Sequence, residues 1–131
     1  MERKKILLVD DSSTILMVEK MTLNNGRYDL VTAKNGLEAI EKATKELPDL
    51  ILMDVNMPKM GGFEACKEIR NKVETQNTPI IMVTTRGELE NVEAVYQNGC
   101  NDYVTKPIDS LELLSKERTV WANKWRNPWR N

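Results

Sequence analysis

The chain has no histidine, only two cysteines and a single phenylalanine in 131 residues. Without imidazole it has no side chain that titrates near neutrality unaided, no nitrogen ligand for zinc and no histidine to accept a phosphoryl group. Carboxylates, hydroxyls and lysine must carry any chemistry. Cys66 and Cys100 show neither the spacing of a metal-binding pair nor the density of a disulfide scaffold, and they read as two reduced, packed thiols. Strong charge of one sign is missing as well. A net charge of -1 and a pI of about 5.6 give no global reason to expect nucleic-acid binding. No apolar run exceeds strand length, and the charged start Glu2-Arg3-Lys4-Lys5 precedes the first of them, so neither a signal-peptide core nor a membrane span is expected. A cytoplasmic protein follows from that reading. Gly/Ser linkers, low-complexity tracts and internal repeats are absent too, and the length suits one domain.

What is present is a series of short apolar runs. Strand signals at about 5–10, 29–33, 50–54, 79–83 and 102–105 alternate with helical patterns at about 13–25, 36–46, 62–74, 88–98 and 109–123. Five βα units predict a doubly wound α/β fold, with a five-stranded parallel sheet covered on both faces. The runs at 6–9 and 50–53 belong at its centre, and the more polar Tyr28 to Ala33 at an edge. Predicted apolar stripes are Ile40, Ala43 and Leu47 on the second helix, and Phe63, Cys66, Ile69 and Val73 on the third. On the fourth they are Val92, Val95 and Tyr96, before the stop at Asn98-Gly99.

The strand runs end on chemistry-bearing residues: Asp10 and Asp11, Asp54, Thr84, and Lys106. In an open α/β sheet, ligands collect in the crevice beyond the carboxyl ends of the strands, so these groups should converge. Two carboxylates about 4 Å apart repel by roughly 4 kcal/mol at an effective dielectric of 20, and a third adds to that. A divalent cation offsets the repulsion, and Mg²⁺ matches a set of oxygen donors that leaves waters for phosphate oxygens to replace.

The segments carrying these residues are Val9-Asp10-Asp11-Ser12, Leu52-Met53-Asp54-Val55-Asn56-Met57-Pro58-Lys59-Met60-Gly61-Gly62, Val83-Thr84 and Asp102-Tyr103-Val104-Thr105-Lys106-Pro107. In this order they resemble the receiver domain of two-component response regulators, of the chemotaxis CheY type, over nearly the whole chain. The resemblance implies the strand order 2-1-3-4-5. It implies a phosphoacceptor that takes a phosphoryl group on Asp54 from a histidine kinase or a histidine phosphotransfer protein, with Lys106 and Thr84 contacting the transferred group. Mg²⁺, with Mn²⁺ as a substitute, would bind Asp11, Asp54 and the main-chain carbonyl of Asn56 directly and Asp10 through water. Thr84 and Tyr103 would switch the surface of the fourth helix, fifth strand and fifth helix, and Pro107 would be a cis-proline. Such a protein catalyses its own phosphorylation and dephosphorylation without being an enzyme in the ordinary sense. The resemblance also implies that Asn56 and Arg86, two residues beyond Asp54 and Thr84, flank the path of the hydrolytic water.

Two rival readings are weaker. A haloacid-dehalogenase phosphatase usually carries its aspartate nucleophile on the first strand and a second acid two residues on, whereas Asp54 lies on the third and is followed by Asn56. A flavodoxin-like carrier lacks its phosphate loop here. The expected division is a receiver domain over 1–123 and a Trp/Arg-rich tail over 124–131. A stand-alone receiver is the favoured expectation, since that tail is too short for a helix-turn-helix unit. Within the fifth helix Glu117 interrupts the stripe of Leu113, Leu114, Val120 and Trp121. Trp121, Trp125 and Trp129 make the helix and tail a candidate association surface, with a homodimer as first choice. The downstream target is not legible.

Overall fold

Ile6 to Val9 and Leu50 to Met53 are apolar at every position, so strands formed from them must be covered on both faces. The computed structural model, which describes residues 3–23, 26–85, 91–106 and 108–122, places them at the heart of one sheet. Strands β1 (Lys4–Val9), β2 (Tyr28–Ala33), β3 (Leu50–Asp54), β4 (Ile80–Thr85) and β5 (Asp102–Lys106) alternate with five helices. These are α1 (Ser13–Leu23), α2 (Gly36–Glu46), α3 (Gly62–Arg70), α4 (Asn91–Gln97) and α5 (Ser110–Ala122). All ladders are parallel, in the order β2-β1-β3-β4-β5 that the resemblance implied. The polar β2 is indeed an edge.

Side chains alternate along β1 and β3 and divide the core in two. Leu7, Val9, Ile51 and Met53 meet Ala39, Ala43, Ala65, Cys66, Ile69 and Val95 of α2, α3 and α4. Ile6, Leu8, Leu50 and Leu52 meet Leu16 and Leu23 of α1 and Leu113 and Val120 of α5. Among the described residues no helix is long and apolar enough to cross a membrane.

Several boundaries differ from expectation. Helix α3 stops at Arg70 and not near 74. The Ile69 carbonyl, which a longer helix would offer to residue 73, accepts from the Lys72 N–H at 3.3 Å and from the buried Thr75 hydroxyl at 2.7 Å. Val73 is consequently exposed and no part of a buried stripe. Leu47 is exposed as well. It caps α2 in the left-handed region (φ 47°), its N–H donating to the Ala43 carbonyl. Tyr96 is also exposed, beside a fully buried Val95. β4 runs on through Thr84 to Thr85, so Thr84 lies within the strand. The expected helix starts and ends at 24–25, 88–90 and 123 fall outside the described residues.

Glu117 is buried, as its place in the α5 stripe requires, and so is Glu19 of α1. Neither carboxylate has a hydrogen-bond partner among the described residues. Glu117 lies near enough to Tyr28 to interact without closing a bond of good geometry; burial, then that carboxylate, holds the Tyr28 hydroxyl up at about 12. Trp121 packs back on the domain. Its indole N–H donates to the Asp49 carbonyl at 2.9 Å, and its ring sits 5.9 Å from that of Tyr28 and beneath Lys4.

Candidate functional site

The parallel register brings the carboxyl ends of β1, β3 and β5 to one rim. Val9 pairs with Met53, so Asp10 and Asp54 fall side by side; Asp54 in turn pairs with Val83. Asp10 and Asp54 are buried, Asp11 is exposed, and each offers a carboxylate oxygen within 4.8 Å of the others. Asp10 is oriented by the Ser12 N–H, which donates to Oδ1 at 2.9 Å. Its Oδ2 has no hydrogen-bond partner among the described residues. Lys106, the last residue of β5, places Nζ 3.4 Å from both Asp10 Oδ2 and Asp54 Oδ1, ion pairs rather than close hydrogen bonds.

Among the described residues one ammonium faces three carboxylates, which leaves the site short of positive charge. Burial pushes the Asp54 carboxyl up to about 6, the Asp10 charge adds to the shift, and Lys106 and the Asn56 N–H oppose it. For Lys106, burial alone acts downward, but Asp54 and Asp10 outweigh it and hold the pKa above the ordinary lysine value. The donor set is entirely oxygen and one buried acceptor has no hydrogen-bond partner among the described residues, which suits a hard divalent cation such as Mg²⁺.

The cluster opens into a cleft of ≈ 420 Å³ lined by Asp11, Asn56, Met57, Pro58 and Glu64. Its floor depends on two close backbone approaches. A Cβ on Gly62 would stand 2.2 Å from the Asp54 carbonyl oxygen, and one on Gly36 would stand 2.5 Å from that of Met60. The Gly62 N–H donates to Val55 O at 2.8 Å, and the Gly36 N–H to Met60 O at 3.0 Å, so the loop after Asp54 is held at both ends. A separate cleft of ≈ 360 Å³ lies at the amino ends of the strands, near Pro48 and Thr78, away from these groups.

Of the residues singled out in the sequence, Asp10, Asp11, Asp54 and Lys106 come together and Asn56 lies on the rim of the cleft. Thr84 is buried one residue beyond the partner of Asp54 and pairs with Thr105. Tyr103 stands apart from the carboxylates. It packs partly buried on the α2/α3/α4 side, with Lys116 Nζ 4.4 Å from its ring centroid and donating to its main-chain carbonyl. Pro107 and Arg86 lie outside the described residues.

The sequence reading missed Glu19. It lies beneath the cluster and its pKa rises to about 8, from burial first and the Asp10 charge second, with Lys106 opposing. The signal was available, since Leu16, Glu19 and Leu23 share the buried stripe of α1.

The family profile described as response regulator receiver domain matches residues 6–118. The chain belongs to the receiver domain family of response regulators. It is 38% identical, over 89% of its length, to the alkaline phosphatase synthesis transcriptional regulatory protein PhoP of Bacillus subtilis, of which it covers 48%. The chain spans about half the length of this and several other curated transcriptional regulators, 45–52%. Among solved structures, the chemotaxis response regulator CheY4 of Vibrio cholerae superposes with a TM-score of 0.83 at 37% identity, covering 91% of this chain and 99% of that one. The receiver domain of sensor histidine kinase PA1611 from Pseudomonas aeruginosa gives 0.84 at 30% identity, covering 92% and 99%, and holds a magnesium ion in its active-site cleft. The receiver is thus a domain of two-component signalling, with the CheY-like fold.

Proposed function

We propose that this receiver accepts a phosphoryl group on Asp54 from a histidine kinase or histidine phosphotransfer protein. The observation that carries this is the convergence of Asp10, Asp11 and Asp54 within 4.8 Å, with Lys106 Nζ 3.4 Å from Asp54. Asp11, Asp54 and the Asn56 carbonyl would hold Mg²⁺ directly and Asp10 through water. The ion, when bound, supplies positive charge against the charge that develops on the phosphoryl oxygens. Mn²⁺ would substitute.

The chain's own residues do the rest. Asp54 must be ionised to attack phosphorus in line with the leaving nitrogen, and a pKa of about 6 leaves it mostly so at neutral pH. An acyl phosphate forms as the phosphorus–nitrogen bond breaks. Lys106 would then exchange its contact with Asp54 for one with a phosphoryl oxygen, and the Thr84 hydroxyl would donate to another. The withdrawal of Lys106 and Thr84 toward the phosphoryl group, with inward rotation of Tyr103 and Pro107 in the cis form, would alter the α4, β5 and α5 surface and so its protein contacts.

An acyl phosphate donor tests the assignment. The wild-type chain should gain about 80 Da with Mg²⁺ present and nothing with chelator, and Asp54→Asn should gain nothing. Equal labelling of the two proteins would sink the role of Asp54. Lys106→Ala should keep metal binding while uncoupling phosphorylation from hydrogen-exchange changes on α4 and α5.

The same reading places the protein in the cytoplasm and divides it into a receiver over 1–123 and a tail over 124–131. Trp121, already engaged with Asp49 and Tyr28, contributes less to a homodimer contact than its sequence position suggested; Trp125 and Trp129 lie outside the described residues. Light scattering on the full chain at high concentration, with and without phosphodonor, tests the dimer.

A further inference from the structure

Cys66 and Cys100 are separated by 34 residues, yet their sulfurs are 3.1 Å apart. Both residues are fully buried, Cys66 at the middle of α3 and Cys100 on the approach to β5. The Cys66 thiol donates to the Asn98 carbonyl at 3.2 Å, and the Cys100 thiol donates to Cys66 Sγ. The backbone around the pair is pinned. The Cys100 N–H donates to Val95 O, and the Arg70 guanidinium donates to Gly99 O at 2.8 Å, Thr78 O at 2.6 Å and Asn101 Oδ1 at 3.0 Å. Closing the sulfurs to the roughly 2.05 Å of a disulfide therefore needs only about 1 Å of approach between anchored elements.

The two thiols are also chemically unequal. The bond donated by Cys100 holds Cys66 below the ordinary thiol pKa, with Arg70 assisting and burial opposing, while the same bond and burial raise Cys100. The hydrogen bond that Cys66 Sγ accepts from the Cys100 thiol makes Cys66 the nucleophile of the pair and Cys100 the resolving thiol. An open cleft of ≈ 290 Å³ reaches Arg70, Asn98 and Gly99, the residues that flank both sulfurs.

We propose that Cys66 and Cys100 form a reversible intramolecular disulfide on exposure to hydrogen peroxide, a modification that clamps α3 to the approach of β5. The Cys66 thiolate attacks one peroxide oxygen, the oxygen–oxygen bond breaks, and hydroxide leaves, giving a sulfenic acid. The Cys100 sulfur then attacks Cys66 Sγ and expels the oxygen as water, its own proton being lost in the step. Two thiols lose two electrons to one peroxide, and two waters form. The bond closes a loop containing β4 and α4, including Thr84, so it ties down a segment that is otherwise held by non-covalent contacts. This inference does not depend on phosphoryl transfer to Asp54.

The test is peroxide treatment of the native full chain, catalase quench, alkylation in denaturant and peptide mass mapping. Expected is joint loss of both alkylatable thiols and one linked Cys66–Cys100 peptide pair. That pair should be about 2 Da lighter than the two thiol peptides, in monomeric protein, reversed by dithiothreitol. The oxidised chain should also melt higher than the reduced one, because the cross-link constrains the unfolded chain. Cys100→Ala should leave an oxygen adduct on Cys66 in place of the link. The proposal is overturned if both thiols stay alkylatable while exposed Met17 and Met21 oxidise. It is equally overturned if the products are linked dimers or sulfinic acids on unlinked cysteines, or if the link appears only in unfolded chain.

Discussion

On one side of the sheet, α2 and α3 bring small apolar residues, Ala39, Ala43, Ala65 and Cys66, and α4 brings Val95, hard against Val9, Ile51 and Met53. On the other side, α1 and α5 bring leucines and valines together with two buried carboxylates, Glu19 and Glu117, that have no hydrogen-bond partner among the described residues. The first side is limited by space and the second by electrostatics. Addition should therefore hurt the first side, and removal of polarity should help the second. The site lies along the carboxyl ends of the strands between them, its floor set by the crowded side and its charge balance felt by Glu19.

The largest effect is expected from Gly62→Ala. Its Cβ would collide with the Asp54 carbonyl oxygen at 2.2 Å and Met82 Cε at 2.6 Å, and since the first is backbone, the variant should lose roughly 3 kcal/mol or more in denaturant unfolding. A loss under about 1 kcal/mol would show that this side yields after all.

Next is Glu19→Met, a swap of similar volume that removes the unpaired carboxylate. With chelator present at pH 8, it should gain about 2 kcal/mol. The sign with pH follows from a folded-state pKa of about 8 against an ordinary 4.5. Between those values the folded chain keeps a proton that the unfolded chain has released, so wild-type stability falls as pH rises through the window. The advantage of Glu19→Met should accordingly shrink from pH 8 towards pH 5. An advantage that is flat with pH would mean that Glu19 is hydrated in solution and the contrast between the two sides is false.

The smallest effect should come from Glu117→Leu. Burial raises this carboxyl too, but Tyr28 and Arg118 both act against the shift, so a gain of about 1 kcal/mol is expected from thermal melts. A loss would mean that the Tyr28 contact stabilises more than burial of the acid costs.

The sheet and the cluster at its rim were legible because each rests on a run of adjacent residues, whereas the strand order came only with the family resemblance. Ile6 to Val9 announces a strand and Asp10 its end, and parallel register alone aligns the rest. Glu117 was legible for the same reason, as a polar break in a stripe. Glu19 sits in an equally regular stripe, but exposed Met17, Val18 and Met21 beside it blur which face of α1 is the inner one. What stayed hidden depends on residues distant in sequence. The end of α3 is set by Thr75 and by an Arg70 that reaches to Gly99 and Asn101, and local helical spacing at Val73 carries no trace of either. The meeting of Cys66 with Cys100 is hidden likewise, because spacing along the chain says nothing about a helix and a later strand lying side by side.

The bond from Trp121 to Asp49 also bears on the order in which the chain acquires its structure. Asp49 already ties β1 to the approach of β3, exchanging bonds with the main chain of Lys5 at 2.7 and 2.8 Å, and Trp121 joins that junction from 72 residues away. A nascent chain emerging from its amino end can form this junction long before the indole exists to cover it. Until α5 docks, Ile6 and Leu8 lack part of their cover, and water can still solvate Glu117. Docking of the last helix is then the step that dehydrates Glu117, whose carboxyl burial raises, so the late phase of refolding should slow as pH rises, and Glu117→Leu should flatten that dependence.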